Sequence, residues 1–134
     1  MDAQFSFDVD RSRCLVRISM SGLFTPADIE AFLAARRKAH AALGCAPNSH
    51  MTLNDVRGMK IQHQNVVEAF RNMLSAPEYK SRRLAFVISP SLTMSQLMRA
   101  FASRDARCFE TISEAEHWLF ADQAEQSLRR TATR

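Results

Sequence analysis

The sequence has 134 residues, 46% hydrophobic and 24% charged, with a formal net charge of +4. That length suits one domain with one core that folds without staples, and the balance excludes a disordered or membrane class. The basic residues are dispersed (Arg11, Arg13 and Arg17; Arg36, Arg37 and Lys38; Lys80, Arg82 and Arg83; Arg129 and Arg130) and there is one Trp and one Tyr, so nucleic-acid binding is not expected.

Residues 5–9 and 15–20 alternate apolar and polar side chains around a turn at 10–13, which predicts an amino-terminal hairpin. Gly22 ends its second strand. Thr25 as cap, Pro26 at the first helical position and Asp28 at the third open a helix over 26–43, and Gly44 stops it. Ile29, Phe32, Leu33, Arg36, Ala39, His40 and Leu43 trace one mostly apolar face of that helix.

After Pro47, Met51, Thr52, Leu53 and Val56 predict a strand that breaks at residues 55–58. Val66, Val67, Phe70, Met73 and Leu74 then give one apolar helical face, which residues 75–77 close, with one further turn at 77–79. Residues 83–88 form a continuous apolar run, as expected for a central strand covered by helices on both faces, with Leu84, Phe86 and Ile88 on one side and Ala85 and Val87 on the other. Ser91 caps a helix carrying Met94, Leu97, Met98 and Phe101. A short strand at 106–109 precedes a last helix, expected to start with a capping box of Ser113 and Glu116 and to bury Ala115, Trp118 and Leu119.

The order ββαβαβαβα predicts a single α/β domain over residues 1–120. Its sheet is mixed and mostly parallel, of about five strands, with helices on both faces, and residues 121–134 form a polar tail. No apolar run approaches the roughly 18 residues that span a bilayer, and residues 1–12 carry acids where a secretion signal would need a basic start. No membrane insertion is expected, and the location is expected to be cytoplasmic. Cys14, Cys45 and Cys108 are odd in number and far apart, which points to free buried thiols.

The sequence of elements, with the strand ending in Asp55, the apolar run 83–88 and the closing phrase Ala106-Arg107-Cys108-Phe109 into Ser113-Glu114-Ala115-Glu116-His117-Trp118-Leu119, resembles the SpoIIAA-like, STAS-type proteins over residues 5–120. The resemblance implies a non-enzymatic regulatory or binding module, related in topology to lipid-carrier domains. Phosphoregulated members carry Asp-Ser-Ser-Gly at the start of the second helix. This chain has Gln62-His63-Gln64-Asn65 there, with no hydroxyl to phosphorylate.

The loop after the strand ending in Asp55 is where open α/β sheets meet ligands. Asp55, Arg57, Gln62, His63, Gln64 and Ser91 are therefore the candidate contact residues for a protein partner or a small amphipathic, anionic ligand. The helices starting near Thr25, His63, Ser91 and Ser113 turn their positive ends to that same edge. The alternative is a small enzyme in which His63 is a base oriented by Asp55. His40, His50, His63 and His117 lack metal-ligand spacing, and Gly22, Gly44 and Gly58 lie in no nucleotide loop, so neither metal nor cofactor is expected. A homodimer is left open.

Overall fold

The hairpin forms because β1 (Gln4–Asp10) and β2 (Leu15–Gly22) pair antiparallel from Gln4 opposite Ser21 to Asp10 opposite Leu15. The computed structural model describes residues 2–91 and 105–121. After the hairpin come α1 (Pro26–Leu43), β3 (Met51–Met59), α2 (Gln64–Leu74), a 3-10 turn (Pro77–Tyr79), β4 (Arg83–Val87), β5 (Ala106–Phe109) and α3 (Ile112–Leu119). The helix expected after Ser91 and the polar tail beyond residue 121 lie outside the described residues.

The strands stand in the order β1-β2-β3-β4-β5. β2 to β5 are mutually parallel. The result is the mixed, mostly parallel α/β sheet expected from the element order, with α1 and α2 on one face and α3 on the other.

β4 shows why. Phe86 and Ile88 enter a core with Val16, Ile18, Ile29, Phe32, Val66 and Met73, while Ala85 and Val87 enter the opposite core with Met51, Leu53, Ala115 and Leu119. Leu84 is only partly buried and packs at the rim of the first core. A large apolar side chain fully withdrawn from water contributes about 1.5–3 kcal/mol, and Leu119, at zero exposure, is what pins α3 to the sheet.

α1 begins and ends where its sequence says. Asp28 N–H donates to Thr25 Oγ1, Thr25 N–H donates back to the Asp28 carboxylate, and Gly44 takes the left-handed conformation at φ 70°.

Several expectations need correction. β3 does not break at Asp55; it runs on to Met59, because a bulge between Ser19 and Ser21 restarts the pairing at Gly58. A side chain at Gly58 would press on Ser21, so the bare backbone is what lets the two strands close again. The cap of α3 is Thr111, which accepts from Glu114 N–H, and not Ser113. Cys14 and Cys45 are joined in a disulfide with Cα atoms 6.2 Å apart, and only Cys108 is a free thiol. The sequence hid this because 31 residues separate the two, and folding brings the start of β2 against the end of α1.

Trp118 is partly buried, not a core interior residue. It packs on Phe109 at 5.6 Å, with the Arg83 guanidinium 5.0 Å and that of Arg107 5.4 Å from its ring centre. None of the described helices is long and apolar enough to cross a membrane.

Candidate functional site

The predicted loop lies at the carboxyl ends of the parallel strands, and most of its polar atoms are engaged within the chain. Arg57 donates from Nε to Asp55 Oδ1 at 2.9 Å and from a terminal nitrogen to Oδ2 at 2.8 Å, while its backbone N–H also meets Oδ1. This fork holds the Asp55 carboxyl below the usual carboxylate range and raises Arg57.

Gln62 is a clamp. Its carbonyl accepts from Phe24 N–H at 2.8 Å and its amide donates to the Gly22 and Lys60 carbonyls, tying the β2–α1 turn to the β3–α2 loop. His63 is the cap position of α2 but makes no capping bond with its side chain, and His63 and Gln64 are both exposed. Ser91 is exposed at the limit of the described segment. The structure therefore pairs Asp55 with Arg57, sets His63 and Gln64 side by side in solvent, and turns Gln62 inward. No His63–Asp55 hydrogen bond is made.

Two of the three described helix starts at this edge are also provided for, that of α2 being the exception. Asp28 and Glu114 sit in the first turns of α1 and α3 and already bring negative charge to their positive ends.

A second site, which the sequence reading did not pick, lies at the opposite edge of the sheet. There the carboxyl-terminal halves of α1 and α2 leave a cavity of about 150 Å³ over Ile18, Thr52, Asn54 and Leu84 of the strands, with Phe32, Arg36, His40 and Met73 from the helices. Tyr79, Lys80 and Ser81 close its outer side. Asn48, left-handed at φ 61°, donates to the Pro77 and Lys80 carbonyls at 3.0 and 2.8 Å, and so fixes the turn that carries Tyr79.

The cavity is lined with polar groups in an otherwise apolar core. Thr52 and Ser81 share a hydrogen bond at 2.6 Å, and Ser81 lies 3.2 Å from His50 Nε2. The His40 ring stands edge-on to His50 at 4.6 Å, and burial, reinforced by His50 and Arg36, pushes its pKa down to about 4. Arg36 lies 4.3 Å over the Tyr79 ring and donates from one terminal nitrogen to the Met73 carbonyl at the end of α2. Among the described residues, two buried side-chain atoms have no hydrogen-bond partner: Arg36 Nε and Asn54 Oδ1.

A signal for this site was present in the sequence. On the core-facing side of β3 the alternate positions read Thr52, Asn54, Val56, and on the apolar face of α1 Arg36 and His40 interrupt the stripe. Polar residues at core positions mark places where function overrides packing. What the sequence could not show is that these two interruptions face each other, nor that His40 and His50, on separate elements, meet. Among the described residues no three of His, Cys, Asp or Glu come together as a metal site.

No known protein-family profile matches the sequence, and no curated relative matches it. In structure the chain is similar to an uncharacterised DUF3478-family protein with a SpoIIAA-like fold from Shewanella loihica PV-4. The TM-score is 0.66 at 16% identity, over 87% of this chain and 94% of that one. The fold is SpoIIAA-like. In this SpoIIAA-like frame α2 starts at Gln64 after His63, and residues 62–65 hold no hydroxyl at that helix start.

Proposed function

We propose that the chain is a non-enzymatic, STAS-like binding module whose ligand is a small molecule held in the cavity between α1, α2 and the sheet. The observation that carries this reading is the cavity of about 150 Å³ walled by the polar side chains of Arg36, His40, Thr52, Asn54 and Ser81 beside Ile18, Phe32, Met73 and Leu84. Small-molecule sites combine apolar walls with a few converging polar groups in this way.

The central loop supports a second reading, a protein partner docking on Arg57, His63 and Gln64, because the α2 start is exposed and its cap side chain is unused. Catalysis by His63 and Asp55 has less support, since both Asp55 oxygens already accept from Arg57.

Native mass spectrometry of protein purified without denaturation tests the choice. The expected result is a mass excess released by unfolding in acid. A bare chain that no small molecule stabilises against heat overturns the ligand reading, and a co-purified polypeptide moves the function to the loop.

A further inference from the structure

We infer that the Cys14–Cys45 bridge is a modification site for a small anionic thiol, and that its reduction unlatches the outer side of the cavity. The inference goes beyond the binding reading and holds whether the cavity is filled or empty.

The bridge stands where a reagent can meet it. Cys14 and Cys45 are both half-buried, and both line a shallow open hollow together with Arg11, Ser12, Gly44 and Ser49. Cys45 stands between Gly44 and Ala46, two exposed residues with the smallest side chains, so its flank is bare. Cys14 is followed by the fully buried Leu15. Among the described residues that line the hollow Arg11 is the only charged one, and its guanidinium reaches to within 3.6 Å of where a Gly44 side chain would begin. The neighbouring carboxylate of Asp10 is turned to the Ser12 hydroxyl and the Arg13 N–H. A fixed cation at this spot draws in an anionic thiol and favours the thiolate that leaves.

In the exchange, the thiolate of one reagent molecule attacks Cys45 Sγ, and the S–S electron pair passes to Cys14 Sγ, which leaves as a thiolate. A second reagent thiolate attacks the reagent sulfur of the mixed disulfide. A reagent disulfide forms, the bond to Cys45 breaks, and the two cysteines take up the protons that the reagent thiols gave to water. Two thiols are oxidised to one disulfide, and the bridge gains the two electrons.

The backbone shows what the bridge holds. Among the described residues Cys14 (φ 50°) and Asn48 (φ 61°) are the non-glycine residues in the left-handed region, a conformation that costs free energy and persists where neighbours impose it. Both lie in the segments that the bridge joins. The Cys14 carbonyl accepts from Met51 N–H, and Cys45 opens the connection from α1 to β3 that carries Asn48. Asn48 in turn holds the Pro77 and Lys80 carbonyls, and that turn closes the cavity's outer side. With the bridge cut, the connection loses its covalent anchor at Cys45 and keeps the backbone bond at Met51. Asn48 then lets go of its two carbonyls and the turn loosens, while Arg82, whose N–H donates to the His50 carbonyl, stays in place.

The test titrates the full chain with reduced and oxidised glutathione under native conditions. Alkylation and mass spectrometry follow the bridge, and hydrogen exchange follows the amides of Tyr79, Lys80, Arg82 and Ile88, the last bonded to the Phe109 carbonyl. The expected result is a bridge that millimolar glutathione opens without unfolding, with Tyr79 and Lys80 exchanging roughly tenfold faster and Arg82 and Ile88 unchanged. Arg11→Gln should slow opening by glutathione roughly threefold or more, and opening by uncharged β-mercaptoethanol less.

Cys14→Ser combined with Cys45→Ser should show the fast exchange and no response to thiols. Should that variant fail to fold, the glutathione titration of the unaltered chain carries the test, with Ile88 reporting the fold. A bridge that resists glutathione in the folded chain yet opens in urea is a staple, and overturns the modification site. Opening with Tyr79 and Lys80 unchanged, or with Ile88 released as well, overturns the latch. Failure of the ligand test above leaves each of these outcomes as it is.

Discussion

The two ends of the parallel sheet are built on opposite principles. At the carboxyl edge the polar groups are exposed or closed on one another: Arg57 on Asp55, Gln62 on three backbone groups, Asp28 and Glu114 on their own helix starts. At the amino edge His50, Thr52 and Asn54 are buried and Arg36, His40 and Ser81 half-buried, and among the described residues two buried atoms there have no hydrogen-bond partner. Exposed groups lose little when unpaired, because water takes the partner's place. Buried ones have no such substitute. A satisfied loop says little about ligands even where fold topology points to it, whereas a cavity walled by polar side chains says a good deal.

The largest expected effect separates the ends by covalent support. The Cys14–Cys45 bond closes a loop across the amino edge with a sequence separation of 31, and in the chain-entropy picture its loss costs about 2–4 kcal/mol. Cys45→Ser should lower stability to urea by about that amount. Amide exchange should rise around residues 14, 45 and 50 and stay level across 55–64. Equal loosening at both edges would break the contrast.

A smaller effect separates them by pH. His40 is held neutral, its pKa near 4 against an ordinary 6.5, with burial the main cause, and burial lowers His50 as well. Between pH 6.5 and 4 the unfolded chain takes up protons that the folded chain refuses, so stability is full above 6.5, falls through that window and levels off below it. Discounted for partial screening, His40 accounts for about 1–2 kcal/mol.

Asp55 acts in the same sense, in a lower window. Its pKa is depressed from 3.8 by the Arg57 hydrogen bonds, so its contribution is present above that value and is lost only as pH falls further, through the folded pKa. Urea titrations at pH 7 and pH 4.5 should show the histidine loss, and His40→Gln should shrink it. An unchanged drop in that variant would place the labile groups elsewhere.

The smallest effect lies within the loop itself. Gln62→Ala removes three hydrogen bonds, two of which join the two loops, and should cost about 1–2 kcal/mol. Replacing His63 and Gln64 together by Ala should change stability by less than about 0.5 kcal/mol. Thermal unfolding of the two variants decides whether the loop divides into a structural clamp and a free surface; the reverse order would put His63 and Gln64 in the structure.

Much of the architecture was legible because it rests on local rules. The Thr25 cap with Pro26 and Asp28, the Gly44 stop, the alternation in residues 5–9 and the unbroken apolar run of β4 each follow from neighbours a few positions away, and periodicity alone put Ala85 and Val87 opposite Phe86 and Ile88. The candidate site was less legible. Asp55 and Arg57 stand two apart and their pairing was foreseeable, but the inward turn of Gln62 depends on Gly22 and Phe24, about forty positions back.

By itself, then, the sequence determined the element order, the mixed sheet and its two covered faces, since propensity, capping and hydrophobic period act over one or two turns. Only the tertiary structure decided that Cys14 meets Cys45, that β3 runs past Asp55 over a bulge, and that Arg36 of α1 and Asn54 of β3 line one cavity. Those outcomes join residues from separate elements, and their free energy depends on which neighbours the packing supplies and on whether water can reach the gap.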